Sequence, residues 1–301
     1  MADAAAGAIV TVAFIGLGTM GMPMAANLAR SGYRVLGLDA NVALQSVAVA
    51  RGLIWSADQA AAVAAADVII TMLPSGAIVR STACGPVGVA ATMKPSALYV
   101  DMSTIAPSDT DALARHFHSH SLRMIDAPVA RSSKEAEEGK LLIMAGGAPD
   151  DVERVRPLFA QLADTVIHCG PVGHGIRMKL VNNYMSLTIN VVTAQALAIA
   201  QRVGIELDLA YRVMSQTVAG KGHLTTTYPA KAFKGDLEPG FMIDLARKDI
   251  ALILDMAAGT DVPADTARAA LLAYDAASRH GRGQQDHTAI YDMCMKGGPW
   301  N

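Results

Sequence analysis

The sequence predicts an α/β protein in two parts. An N-terminal, doubly wound, mostly parallel sheet of the Rossmann type is joined through one long helix to an all-α C-terminal domain. Three observations carry this. Short apolar runs alternate with Ala-rich helical stretches from Thr11 to about Cys169, strand signals stop after Gly170-Pro-Val-Gly173, and Ile176 to about Val203 is helical in pattern with no internal glycine or proline. Alternation of strands and helices implies a parallel sheet, because each helix crosses back over the sheet before the next strand begins. The expected division is therefore residues 1–173 and 174–301.

The candidate strands follow in order. Thr11–Ile15 is rich in β-branched and aromatic residues and ends at Gly16; Arg34–Leu38 follows the Ser31-Gly32 turn and ends at Asp39. Val68–Met72 runs into Leu73-Pro74-Ser75, Ala97–Asp101 into Ser103-Thr104, and Met124–Ala127 into Pro128. Leu141–Ala145 stops at two glycines, and Thr165–His168 is the last. Between them, Pro23–Arg30, Ser56–Ala65 and Ser108–His118 carry the Ala-rich composition of helices. Beyond the long helix, further helices are expected at Leu207–Gln216, Met242–Ala258 and Ala264–Arg279.

Bulk properties narrow the function. At 301 residues, 52% apolar and 17% charged, the composition is globular. A net charge of −2 with no basic block argues against a nucleic-acid partner. Cys84, Cys169 and Cys294 are far apart and form no Cys-x-x-Cys, so neither a disulfide scaffold nor a zinc site is expected. Met1-Ala-Asp-Ala-Ala-Ala lacks a basic region, and Val10–Ile15 is too short for a membrane span. The expectation is a soluble, cytoplasmic protein with no membrane partner.

The most specific local feature is Val12-Ala-Phe-Ile-Gly16-Leu17-Gly18-Thr19-Met20-Gly21, with Asp39 closing the next strand. At this spacing Gly16 allows the turn, Gly18 lets backbone approach a pyrophosphate, and Gly21 lets helix and sheet pack closely. The helix N-terminus offers unpaired N–H groups to phosphate oxygens. Asp39 accepts ribose hydroxyls and repels a 2′-phosphate, and no arginine follows it closely, the next residues being Ala40, Asn41 and Val42. The expected cofactor is NAD(H). Ligands in such sheets lie beyond the carboxyl ends of the strands, which adds Leu73, Pro74 and Thr104 to the cofactor residues and Ser103 to the substrate residues.

On the long helix Lys179, Asn182, Asn183, Ser186 and Asn190 share a face amid apolar neighbours. Two readings fit: a packed helix with a few satisfied polar groups, or a half-buried lysine acting as proton donor and oriented by the amides. Upstream, Arg131-Ser132-Ser133 leaves a strand end and combines a guanidinium with two hydroxyls, a set suited either to an oxyanion with three acceptor oxygens or to an ordinary surface loop. Gly220, Lys221 and His223 lie in a polar connection, Ser215–Thr227, where an anion contact or a plain loop are both consistent. Lys248 sits on an otherwise apolar helix and is a candidate cofactor contact. His116, His118 and His120 are expected on different faces at a helix end, so no metal site is expected.

These blocks together resemble the β-hydroxyacid dehydrogenase family, typified by 3-hydroxyisobutyrate dehydrogenase. The match comprises Phe14–Gly21 with Pro23-Met-Ala25-x-Asn-Leu28, then Asp101-Met-Ser103-Thr104, Asp126-Ala-Pro-Val129, Gly175-x-x-x-Lys179-Leu-x-x-Asn183, and Lys248-Asp249. The resemblance implies that Lys179 protonates the substrate oxygen, Asn183 supports it, and Lys248 contacts the cofactor. Most of the family continues Asp-Ala-Pro-Val with Ser-Gly-Gly; here Ala130-Arg131-Ser132-Ser133 follows. Arginine at that place resembles a sulfonate-recognising branch, and implies a sulfonate pocket centred on Arg131 with Asn182 and Gly220–His223 nearby. The expected reaction is NADH-dependent reduction of a short anionic aldehyde, 3-sulfolactaldehyde to 2,3-dihydroxypropane-1-sulfonate. The alternatives are a carboxylate such as 3-hydroxyisobutyrate or tartronate semialdehyde, or a non-catalytic dinucleotide-binding protein. Ala-rich helices and the habit of the family imply a homodimer or homotetramer.

Overall fold

The first strand, β1 (Thr11–Ile15), is buried along its whole length between two neighbouring strands. Val12 and Phe14 enter one apolar cluster, Ala13 and Ile15 another, as a side-chain period of two requires. The computed structural model describes residues 9–296. From β1 the chain continues through α1 (Gly21–Arg30), β2 (Arg34–Leu38), α2 (Gln45–Ala50), β3 (Ile54–Trp55), α3 (Gln59–Ala65) and β4 (Val68–Thr71). Next come α4 (Gly76–Cys84), α5 (Val89–Thr92), β5 (Leu98–Asp101), α6 (Pro107–Ser119), β6 (Arg123–Asp126), β7 (Val129–Ala130) and α7 (Ser133–Glu137). Then β8 (Leu141–Gly146), α8 (Pro149–Phe159) and β9 (Ala163–Gly170) lead to α9 (His174–Arg202).

The sheet runs β3-β2-β1-β4-β5-β6-β8, parallel as far as β6; β8 is antiparallel to β6 and β7, and β9 lies parallel to β8. Met24 and Leu28 of α1, Ala48 of α2 and Val155 of α8 cover one face. Val63 of α3, Val79 of α4 and Phe117 of α6 cover the other. This is the expected doubly wound sheet. The β3 and β7 strands escaped sequence reading because two residues are too few to show a period, and α8 because prolines stand at 149 and 157. Pro149 occupies the first turn, where the missing N–H has no helical partner to lose.

Two N–H groups at the start of helix α9 are satisfied from the sheet. Asp126, at the end of β6, accepts the Gly173 N–H at 2.6 Å through Oδ1 and the Ile176 N–H at 2.7 Å through Oδ2. The residues divide into two compact units, up to Tyr184 and from Met185, so the division falls inside α9. The second unit is helical: α10 (Leu207–Gln216), α11 (Val218–Lys221), α12 (Thr227–Ala230), α13 (Ile243–Ala258), α14 (Asp265–Ala277) and α15 (Ile290–Lys296). Its apolar clusters are small, one around Ile243, Ala276, Ala277, Ala289 and Met293, the other around Ile199, Ala257 and Ala264. Among the described residues no helix is long and apolar enough to cross a membrane.

Candidate active site

The end of β1 opens into a cleft of about 760 Å³ in the first unit. Its walls are formed by Gly16, Gly18, Thr19, Met20 and Gly21, by Asp39 beyond β2, and by Leu73 with Pro74. A β-carbon at Gly16, where φ is +101°, would lie 2.3 Å from the Met72 carbonyl oxygen, and one at Gly21 would lie 1.9 Å from the Gly16 carbonyl oxygen. Packing alone therefore requires both glycines. At Gly18 a β-carbon would meet no heavy atom within 4 Å, so the protein's own packing leaves that residue bare toward the cleft. The N–H groups of Gly18, Thr19, Met20 and Gly21 find no acceptor among the described residues. Four orphan donors at a helix start form an anion cradle.

Asp39 is fixed by two backbone donors. Leu17 N–H donates to Oδ2 at 2.7 Å, and Asn41 N–H to Oδ1 at 2.8 Å. Leu17 itself is buried, and acts through that N–H rather than by lining the cleft. Ser103 is also buried; its Oγ accepts the Leu73 N–H at 2.9 Å, so it supports the cleft wall from behind. Thr104 is exposed beyond β5 and does not line the cleft. The cleft also includes Trp55, Ser56, Ile78 and Thr82, which sequence reasoning missed. Pro74-Ser75-Gly76 was the available signal, since Ser75 Oγ accepts the Ile78 N–H and starts α4 there.

Lys179 is half-buried on α9 and makes no ion pair or hydrogen bond through its ammonium among the described residues. Burial holds its pKa below the ordinary 10.5. Asn183 and Ser186 follow at one and two turns on the same face, while Asn182 lines a separate hollow of the first unit with Met178, Val181 and Cys169. Arg131 leaves β7 with φ +82°, a left-handed conformation rare outside glycine. Its guanidinium pairs with Asp164 at 2.6 Å and donates to the Lys140 carbonyl. Ser132 is the N-cap of α7 in a capping box with Glu135, and Ser133 opens that helix.

Residues 11–170 match the NAD binding domain of 6-phosphogluconate dehydrogenase, and residues 173–294 match the family described as NAD-binding of NADP-dependent 3-hydroxyisobutyrate dehydrogenase. A 3-sulfolactaldehyde reductase of Escherichia coli is 42% identical over 95% of this chain and 96% of its own. A probable 3-hydroxyisobutyrate dehydrogenase of Mycobacterium tuberculosis is 34% identical over 85% and 88%. A solved structure of 3-hydroxyisobutyrate dehydrogenase from that organism, with L-serine, superposes with a TM-score of 0.67 at 33% identity, over 95% of this chain and 99% of that one.

The chain belongs to the 3-hydroxyisobutyrate dehydrogenase family. It is an NAD-dependent oxidoreductase acting on CH–OH groups. The glycine turn and Asp39 fit such a cofactor: the bare Gly18 and the orphan N–H groups suit the pyrophosphate, and the fixed carboxylate suits the adenosine ribose.

In the second unit Gly220 and Lys221 lie in the short helix α11, so the polar connection is partly helical. His223 Nδ1 stands 3.1 Å from Thr227 Oγ1, and its ring meets that of His287 edge-on. Burial, with His287 beside it, lowers the His223 pKa, against the opposing pull of Asp286. Lys248 on α13 is exposed and pairs with Asp249 at 3.1 Å. One expectation in the first unit is corrected. His116 and His120 do not occupy different faces: they are four apart, their rings lie 4.5 Å between centroids, and the His116 carbonyl is 2.8 Å from His120 Nδ1. Among the described residues no group of three potential ligands is placed to hold a metal.

Proposed function

We propose that this family member uses NADH to reduce a short sulfonated aldehyde, 3-sulfolactaldehyde, with Arg131 as the sulfonate anchor and Lys179 as the proton donor. The observation that carries the substrate choice is the backbone of Arg131. Its φ of +82° is a conformation suited to the glycine that most of the family places there, yet the position holds an arginine. Unfavourable local conformations persist where the side chain has work to do. A guanidinium is a fixed, planar set of charge-assisted donors for a fully ionised, weakly basic sulfonate. Ser132, Ser133, Asn182 and Ser186 complete the proposed substrate set, with Gly220, Lys221 and His223 as further proposed contacts. The 42% identity to a 3-sulfolactaldehyde reductase supports the same reading.

When bound, NADH supplies the hydride for the carbonyl carbon. Lys179 then holds the proton destined for the carbonyl oxygen, and its lowered pKa makes it a readier donor than a solvated lysine. Asn183, one turn away on the same face, is the proposed supporting amide for that step. Asp39 favours NADH over NADPH because its carboxylate is held toward the cleft with no arginine beside it to pair a 2′-phosphate. Lys248 is the proposed cofactor contact from the second domain, which we take to begin at 174. Leu187, Tyr211, Leu252 and Leu272 leave much apolar surface exposed on the second unit, which supports a homodimer or homotetramer. The proposed location is the cytoplasm.

The test is the ratio of catalytic efficiencies for matched sulfonate and carboxylate semialdehydes. The native enzyme should prefer the sulfonate. Arg131→Gly, with Ala130→Ser and Ser132→Gly, should raise the KM for the sulfonate at least tenfold and leave the KM for NADH within twofold. A native preference for the carboxylate, or a ratio unmoved by the change, would refute the sulfonate reading and leave the family assignment intact.

A further inference from the structure

Asp101 ends β5 with its carboxylate fully buried, and Asp126 stands beside it in register on β6. Both follow the same pleat as Thr71 and Tyr99, so the four side chains share one face of the sheet. Asp101 Oδ1 accepts the Thr71 hydroxyl at 2.9 Å and the Ser103 N–H at 3.1 Å; the Tyr99 hydroxyl lies 2.8 Å from Thr71 Oγ1. Ser103 Oγ in turn accepts the Leu73 N–H. Leu73 rests directly on the glycine turn: its Cδ2 lies 3.0 Å from where a Gly16 β-carbon would stand. One buried carboxylate thus ties the ends of β4 and β5 to the wall of the cofactor cleft. It has no paired cation among the described residues, an arrangement that costs stability and calls for a reason.

We propose that Asp101 is the positioning residue of the cofactor cleft: it holds Ser103, Ser103 holds the Leu73 N–H, and the Leu73–Pro74 wall is thereby set against the glycine turn. The inference rests on this cleft being the NAD site and is independent of the substrate. The groups facing the network are Thr71 on β4, Tyr99 on β5, Asp126 on β6, Cys84 on α4 beside Tyr99, and Arg177 on α9, which acts on Asp126. Burial pushes the Asp101 carboxyl up to about 6; hydrogen bonds from Ser103 and Thr71 oppose this, and the Asp126 charge adds to it. Above that pH the charged acceptor grips Ser103. Below it the bond weakens and the wall loosens.

The experiment titrates NAD+ into the full-length protein without substrate, from pH 5 to 8, following the fluorescence of Trp55 in the cleft. The native protein should lose affinity three- to tenfold as the pH falls, with a midpoint near 6. Asp101→Asn should show a similar loss at pH 7.5 and a flat profile below it, with kcat at saturating cofactor within twofold of native. Thr71→Val is nearly isosteric and removes one donor to the carboxylate, so it should move the midpoint upward even if the Asp101 variant does not fold. A flat native profile, or a Thr71→Val profile that superimposes on the native one, overturns the proposal. Failure of NAD+ to bind at any pH would instead refute the cleft as the cofactor site.

Discussion

Replacing Gly18 by alanine separates what the glycine turn does for folding from what it does for the cofactor. A β-carbon at that position meets nothing within 4 Å, and the residue's φ is not left-handed. The folding free energy should therefore change by less than about 0.5 kcal/mol, with a small gain from the stiffer unfolded chain working in its favour. Binding should respond differently. The pyrophosphate has to come within hydrogen-bond distance of the bare N–H groups at Gly18–Gly21, and a methyl group occupies that approach. Loss of one charge-assisted hydrogen bond, about 2 kcal/mol, corresponds to roughly a thirtyfold rise in Kd. Thermal unfolding without cofactor and a fluorescence titration with NADH measure the two effects on the same sample. Gly16→Ala is the contrast: its β-carbon would run into the Met72 carbonyl at an unfavourable φ, so unfolding temperature and affinity should fall together. Native-like NADH affinity in Gly18→Ala would refute the reasoning, because the bare glycine would then have no ligand to explain it.

Three further outcomes follow from the same geometry. Lys179→Ala should lower kcat by about 10²–10⁴-fold with NADH binding little changed, and in the native enzyme kcat for reduction should fall with rising pH at a midpoint below 10.5, as the half-buried ammonium loses its proton. A variant with near-native turnover would remove Lys179 from the mechanism. Exchanging Asp39 for Ser and Ala40 for Arg should admit NADPH at the expense of NADH, read as the ratio of the two kcat/KM values; equal use of both by the native enzyme would contradict the role of Asp39. Asp286 is buried and accepts the N–H groups of Gly240, Phe241 and Thr288 and the Thr288 hydroxyl; despite burial, which pushes the other way, these bonds hold its carboxyl down at about 2. A depressed carboxyl stabilises the fold above its ordinary value of 3.8, and that contribution is lost as the pH falls from about 4 toward 2. Asp286→Asn should cost ~1–2 kcal/mol at pH 7 after solvent screening is allowed for, measured by denaturant unfolding. No loss at pH 7 would mean the four bonds are not holding the charge.

What local chemistry specifies was legible in order along the chain. The β1 strand, the glycine turn and Asp39 form a cofactor motif within some thirty residues, and each demand there is local: a left-handed turn at Gly16, no side chain at Gly21, a carboxylate at the next strand end. The long helix was readable because no glycine or proline interrupts it, and its polar stripe because 3.6 residues per turn bring Lys179, Asn183 and Ser186 onto one face. Two-residue strands such as β3 and β7 carry no period and were invisible, although β3 brings Trp55 into the cleft.

Other features depended on residues far apart in sequence. Asp126 reads as part of the Asp126-Ala-Pro-Val129 block at a strand end, yet its carboxylate caps α9 some fifty residues later, because β6 ends where that helix begins. Asp101 and Thr71 become partners only through the register of β4 with β5, and Ser103 turns out to hold Leu73 from behind rather than to face the cleft. Arg131 shows the division most clearly. Its residue type pointed to an anion, but only the folded backbone revealed that it sits in a glycine-like conformation and pairs with Asp164, thirty-three positions away. Sequence alone determined the fold class, the cofactor motif and the residue types on the long helix, because those follow from steric rules acting over a few residues. Tertiary structure decided which carboxylates support the cleft and the helix, because strand register and helix docking set the distances on which buried charges and hydrogen bonds depend.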